Sequence, residues 1–159
     1  CRFTGIKAKD LIRLYVRHLL LCAVAPETVQ VNSFAWDHKE AKTARLSSVG
    51  PEEARKRLTV LLELCRKGLE APLPFFPEAS FAYADTPGDA EKKFKAAERA
   101  FHSTYMEKGV MKPGGDLAED PVSRLFSPDD FSTEAFQEEF AGAAESFFEF
   151  LRNGELSYE

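Results

Sequence analysis

Cysteine is scarce and odd in number: Cys1, Cys22 and Cys65 are far apart, which excludes a disulfide framework and a zinc-ligand spacing and points to a reducing compartment. No apolar run reaches the roughly 18 residues needed to cross a bilayer. The stretch Leu19 to Ala25 follows no basic leader and falls inside an amphipathic pattern, so a soluble, cytoplasmic protein is expected. Missing too are a Walker-type Gly-rich loop, Gly-x-Ser-x-Gly, His-Glu-x-x-His and Cys-x-x-Cys, so no common phosphate, nucleophile, zinc or redox signature marks an active site. There is one Trp and four Tyr against 14 Phe, a skew toward purely apolar rings that belong in a core. The chain opens Cys1-Arg2-Phe3 without an initiator Met and reads as an excised piece of something longer.

What is present is enough for one domain, residues 1 to 159, with a real core. The net charge of -5 conceals an asymmetry: residues 1 to 112 carry 19 Lys and Arg against 14 Asp and Glu, whereas residues 113 to 159 carry 2 against 12. Only the first part could face nucleic acid.

Periodicity predicts a helix over Lys7 to Val24, with Leu11, Tyr15, Leu19 and Cys22 inward and Asp10, Arg13 and Arg17 outward. His18 projects on the apolar side and reads as a satisfied core histidine. Thr28 to Trp36 and Ala41 to Leu46 form a hairpin, whose second strand carries Lys42 and Arg45, charges suited to an exposed edge. Gly50-Pro51 opens a second helix with Ala54, Leu58, Leu61, Cys65 and Leu69 as its buried stripe and Gly68 as its stop. On it Arg55, Lys56 and Arg57 fan out and make no single patch.

Pro72, Pro74 and Pro77 then fix an extended path that presents Leu73, Phe75 and Phe76. Either this segment plugs its rings into the protein's own core or it is a docking surface. Pro77 to Ala84 forms a short helix. Thr86 caps a longer one whose inward positions are Ala90, Phe94, Ala97, Phe101 and Tyr105, with His102 assigned no chemistry. Residues 107 to 133 read as a flexible connection with a short helix at Pro121 to Phe126. A last helix carries Phe136, Phe140, Ala144, Phe147 and Leu151 inward and ends at Asn153-Gly154.

The triplets Asp37-His38-Lys39, Glu40-Ala41-Lys42 and Glu91-Lys92-Lys93 have the carboxylate-x-Lys form used by metal-dependent nucleases, in which acids hold a hard cation and Lys meets the phosphate. Glu91 to Lys93 falls on a helix. Asp37 to Lys42 spans a turn and a strand with no earlier acid converging on it, and no metal site is assigned. The enzyme alternative would use Asp37, Lys39, Glu40 or Lys42.

The order helix, Gly68-Leu69, Pro72-Leu73-Pro74-Phe75-Phe76-Pro77, Ala79-Ser80-Phe81-Ala82-Tyr83-Ala84, with Tyr15 to Leu20 and Cys22-Ala23 upstream, resembles the C-terminal domain of RecC, the gamma chain of exodeoxyribonuclease V. Glu119-Asp120-Pro121 and the Phe-rich last helix fit more loosely, and Tyr15 stands where Trp is expected. The resemblance implies an α/β, helix-rich chain of restriction-endonuclease-like (PD-(D/E)xK) fold without an active site, on a small sheet that lacks its upstream strands. The acid-bearing strand of a true nuclease would precede the first helix, where only Cys1-Arg2-Phe3-Thr4 stands.

The resemblance further implies a non-catalytic, DNA-handling and subunit-docking domain of a RecBCD-type helicase-nuclease that repairs double-strand breaks. It needs no cofactor, and its partners are DNA and the beta and alpha subunits (RecB-like and RecD-like). Lys7, Lys9, Arg13 and Arg17 are then the candidates for DNA contact. Leu73, Phe75 and Phe76 are the candidates for a subunit interface. A protein-interaction module that never touches DNA is the further alternative.

Overall fold

The computed structural model describes residues 5–107 and 110–159. The chain is helix-rich, with a small antiparallel sheet, and divides into two compact units: residues 1–66 with Glu149–Glu159, and Lys67–Phe148. Among the described residues no helix is long and apolar enough to cross a membrane.

In the first unit, α1 (Ala8–Val24) buries Leu11, Tyr15, His18, Leu19 and Cys22, the face its sequence predicts. Strands β1 (Ser33–Asp37) and β2 (Lys42–Leu46) pair antiparallel from Ser33 against Leu46 to Asp37 against Lys42. The first strand therefore begins where the alternation of Thr28 to Trp36 changes phase. β2 is not an edge: β5 (Leu156–Tyr158), from the far end of the chain, pairs with it and makes the sheet order β1-β2-β5. Lys42 and Arg45 consequently protect no free edge, and the edge strands are β1 and β5.

Helix α2 (Pro51–Glu70) buries Ala54, Arg57 and Leu61. The expected stripe fails beyond Leu61, since Cys65 is exposed and Leu69 is 90% exposed. The helix outlasts the core on which it packs. Gly68 does not stop it; the ladder runs on, with Ala71 N–H donating to the Lys67 carbonyl at 3.0 Å. Short α7 (Glu149–Arg152) contributes buried Phe150, whose ring lies 4.4 Å from that of Tyr15. Gly154, at φ +65°, then turns the chain into β5, and Glu155 N–H closes the helix end on the Phe150 carbonyl.

The second unit packs α3 (Pro77–Asp85), α4 (Ala90–Phe101) and α6 (Glu134–Phe147) around Phe76, Tyr83, Phe101, Phe131 and Phe140. Helix α4 starts on Asp89, whose carboxylate accepts from Lys92 N–H at 2.9 Å, while Thr86 ends α3 instead of capping α4. Tyr105 does not continue the α4 stripe; its backbone lies in β3 (Thr104–Glu107), paired antiparallel with β4 (Val110–Pro113). Residues 107 to 133, read from sequence as a flexible connection with a short helix at Pro121 to Phe126, hold among the described residues β4, that helix as α5 (Asp120–Leu125), and two 3-10 turns. The expected single last helix breaks at Phe148, which separates α6 from α7.

Candidate functional site

Lys9, Arg13 and Arg17 recur every four residues along one side of α1, and Lys7 stands at its N-cap. Lys7, Arg13 and Arg17 are exposed and Lys9 is half-buried. Asp10 partly offsets them: its carboxylate accepts from Lys7 N–H at 3.3 Å and lies 4.0 Å from Arg13. Arg13 and Arg17, one turn apart, leave their guanidinium groups to solvent or a partner's acceptors.

On the opposite side of α1, His18 is fully buried and satisfied, as the sequence pattern indicates. Its Nε2–H donates to the Ser47 carbonyl at 2.9 Å, which makes Nδ1 the acceptor for the Ser33 hydroxyl at 3.0 Å. Burial holds its pKa below the ordinary histidine value. The ring is a tie between α1 and the hairpin and has no lone pair to spare for a metal.

Asp37 ends β1 at the start of the hairpin turn. Its carboxylate accepts from Ile6 N–H at 2.9 Å, Lys39 N–H at 2.8 Å and Glu40 N–H at 3.1 Å, and these bonds, that from Ile6 foremost, lower its pKa. Lys42 reaches back to Glu40 at 3.0 Å in an exposed ion pair. The oxygens of Asp37 are thus committed to backbone amides, and Glu40 to Lys42. Among the described residues no group of three His, Cys, Asp or Glu side chains is placed to hold a metal ion.

The proline segment delivers its side chains to different environments. Pro74 and Phe76 are buried, whereas Leu73 and Phe75 are half-buried. The Phe76 ring sits 4.7 Å from Phe101 and 4.9 Å from Phe126, at the heart of the second unit's aromatic core. Phe75 stacks on Phe147 at 4.1 Å. Of the three interface candidates, Leu73 and Phe75 keep accessible surface to offer.

Two buried charged groups escape the sequence reading. Arg57 donates from Nε to Glu53 at 2.8 Å and from Nη1 to both oxygens of Glu155 at 2.8 and 2.9 Å, with the Tyr15 hydroxyl at 3.4 Å. The signal was available: Arg57 lies between Ala54 and Leu61 at helical spacing, on the buried stripe itself. In the second unit Asp116 accepts from Glu78 N–H at 3.2 Å and Ala79 N–H at 2.8 Å, capping α3 from a distant turn. Gly115 sets that turn at φ +66°, where a Cβ would fall 2.0 Å from the Ala100 carbonyl oxygen. Burial nonetheless pushes the Asp116 pKa up to about 6. Only its place after Gly114-Gly115 marked it, which is too little to find it by sequence.

No curated protein matches the chain. The family model for the RecC C-terminal domain matches residues 1–87, which hold α1, the hairpin, α2, the proline segment and α3. That is more than half of the chain and includes the helix, the Gly-Leu pair and the proline-aromatic run that carry the sequence resemblance. On this evidence the chain belongs to the RecC C-terminal domain family.

Proposed function

We propose that this chain is a non-catalytic domain of an exodeoxyribonuclease V gamma chain, serving subunit docking and DNA handling in double-strand-break repair on a nuclease-like frame without an active site. The match of residues 1–87 to the RecC C-terminal domain carries the reading. The geometry is in keeping with it. Asp37, the best placed carboxylate of the sequence triplets, spends its oxygens on three backbone amides. Contact with DNA would come from Lys and Arg neutralising phosphates and releasing counterions, for which α1 offers Lys7, Lys9, Arg13 and Arg17. Docking would use the beta and alpha subunits as partners.

The test compares the gamma-type chain carrying this sequence with and without this domain. Each is mixed with beta and alpha subunits and with a linear duplex, in magnesium and in EDTA. The expected result is loss of subunit assembly on deletion and no magnesium-dependent cleavage by the gamma-type chain alone. Cleavage by that chain, abolished by Asp37→Asn, would replace this reading with the nuclease alternative.

A further inference from the structure

The outer face of α1 is not uniformly polar. At about 100° per residue, Arg13, Arg17, Leu20, Leu21 and Val24 fall within a sector of about 100°, along a rise of about 16 Å. Leu20 is 52% exposed, Leu21 53% and Val24 78%. A single exposed leucine needs no explanation. Three large apolar side chains within little more than one turn, on one face, make a patch.

Its charge frame is also specific. Arg13 and Arg17 stand at one end of the apolar triplet. At the other, where α1 has no basic residue in its own last turn, Arg55 arrives from α2 and donates to the Ala23 carbonyl at 2.8 Å. That bond satisfies a terminal carbonyl and brings a guanidinium to the C-terminal end of α1. Cations thus stand toward both ends of α1, Arg13 and Arg17 on the exposed sector and Arg55 at the last carbonyls.

This pattern selects a class of partner. Phosphate backbone would use the cations but leave three aliphatic side chains without a role, since Leu and Val offer no π-face for a base. A bilayer would need a wider apolar face, and the apolar side of α1 already faces the sheet and the core. A protein helix with apolar residues in its centre and carboxylates toward both ends uses every group.

Resting on the subunit-docking part of the function proposed above, we propose that this face of α1 docks an acidic amphipathic helix of a partner subunit. Leu20, Leu21 and Val24 receive its apolar side chains, while Arg13, Arg17 and Arg55 receive its carboxylates. The inference leaves Lys7 and Lys9 to DNA.

The experiment measures affinity of the gamma-type chain for purified beta and alpha subunits, for a dT30 oligonucleotide and for anionic phosphatidylserine vesicles. The variants are Leu21→Ser/Val24→Ser, Arg13→Glu/Arg17→Glu and Val24→Asp alone, the last at the most exposed position so that folding is retained. All three variants are expected to weaken binding of the same subunit by about tenfold or more, and the two apolar variants to leave dT30 binding unchanged. Unchanged subunit affinity in folded variants would overturn the docking site while the wild-type assembly keeps the function reading intact. Loss of dT30 or vesicle binding in its place would assign the face to DNA or to lipid. Concentration-dependent self-association that the variants abolish would assign it to a second copy. Failure of the wild type to bind either subunit would remove the function reading along with the site.

Discussion

His18 and Asp116 are buried titratable side chains with opposite responses to pH. Burial depresses the His18 pKa below its ordinary 6.5, so the stability tied to its neutral form is complete above that value and is lost as the pH falls through the folded-state pKa. Asp116 runs the other way. Its pKa, raised from 3.8 to about 6, gives stability that is complete below pH 3.8 and is lost as the pH rises through about 6. Amide exchange followed from pH 4 to pH 7 should show protection growing around α1 and declining around the start of α3. Asp116→Asn, which keeps a carbonyl oxygen for Ala79 N–H, should flatten the second trend alone. Phe76 makes a separate prediction: truncation to Ala, at 2% exposure among five aromatic neighbours, should cost about 3–5 kcal/mol in urea unfolding of the second unit.

Among the elements, α2 shows how burial can reverse what a charged residue signifies. Arg57 sits among three carboxylates and a phenol, with 9% of its side chain exposed, and it ties α2 to the approach of β5 through Glu155. Replacing it with Ala should destabilise the first unit by about 3–5 kcal/mol, because Glu155 would keep its burial and lose its counterion. The double variant Arg57→Met/Glu155→Gln should recover part of that loss, a departure from additivity that a thermal-melt mutant cycle would measure. Period and capping made α1, the onset of α2, the hairpin, α3 and α5 legible in the sequence. The central place of β2 was not, since it depends on pairing across more than a hundred residues with a three-residue strand. The end of the α2 stripe was equally hidden: Cys65 and Leu69 have the spacing of buried residues, and only the extent of the core beneath them decides otherwise. For the candidate site the exposed cations of α1 were readable. The apolar triplet shares their helical sector by spacing, but that Leu20, Leu21 and Val24 stay exposed follows only from where the core lies.

In the whole molecule, the second unit is an insertion that runs from the last turn of α2 to the start of α7, and the first is discontinuous in sequence. A variant ending at Phe148 would lack Phe150, Glu155 and β5, the groups that cover Tyr15, neutralise Arg57 and pair with β2. Hydrogen exchange should then show the amides of α1 and the hairpin losing protection, while those of α3, α4 and α6 keep theirs. The late arrival of β5 also bears on how the chain is made. At about 5–20 residues per second, the ribosome needs on the order of 5–20 s between releasing α2 and releasing β5. Throughout that interval β2 has an open edge and Arg57 lacks the bidentate carboxylate of Glu155. The second unit, though encoded later, has all its own parts first. The order of folding would therefore run against the order of synthesis, and the nascent first unit would be the segment that chaperones find.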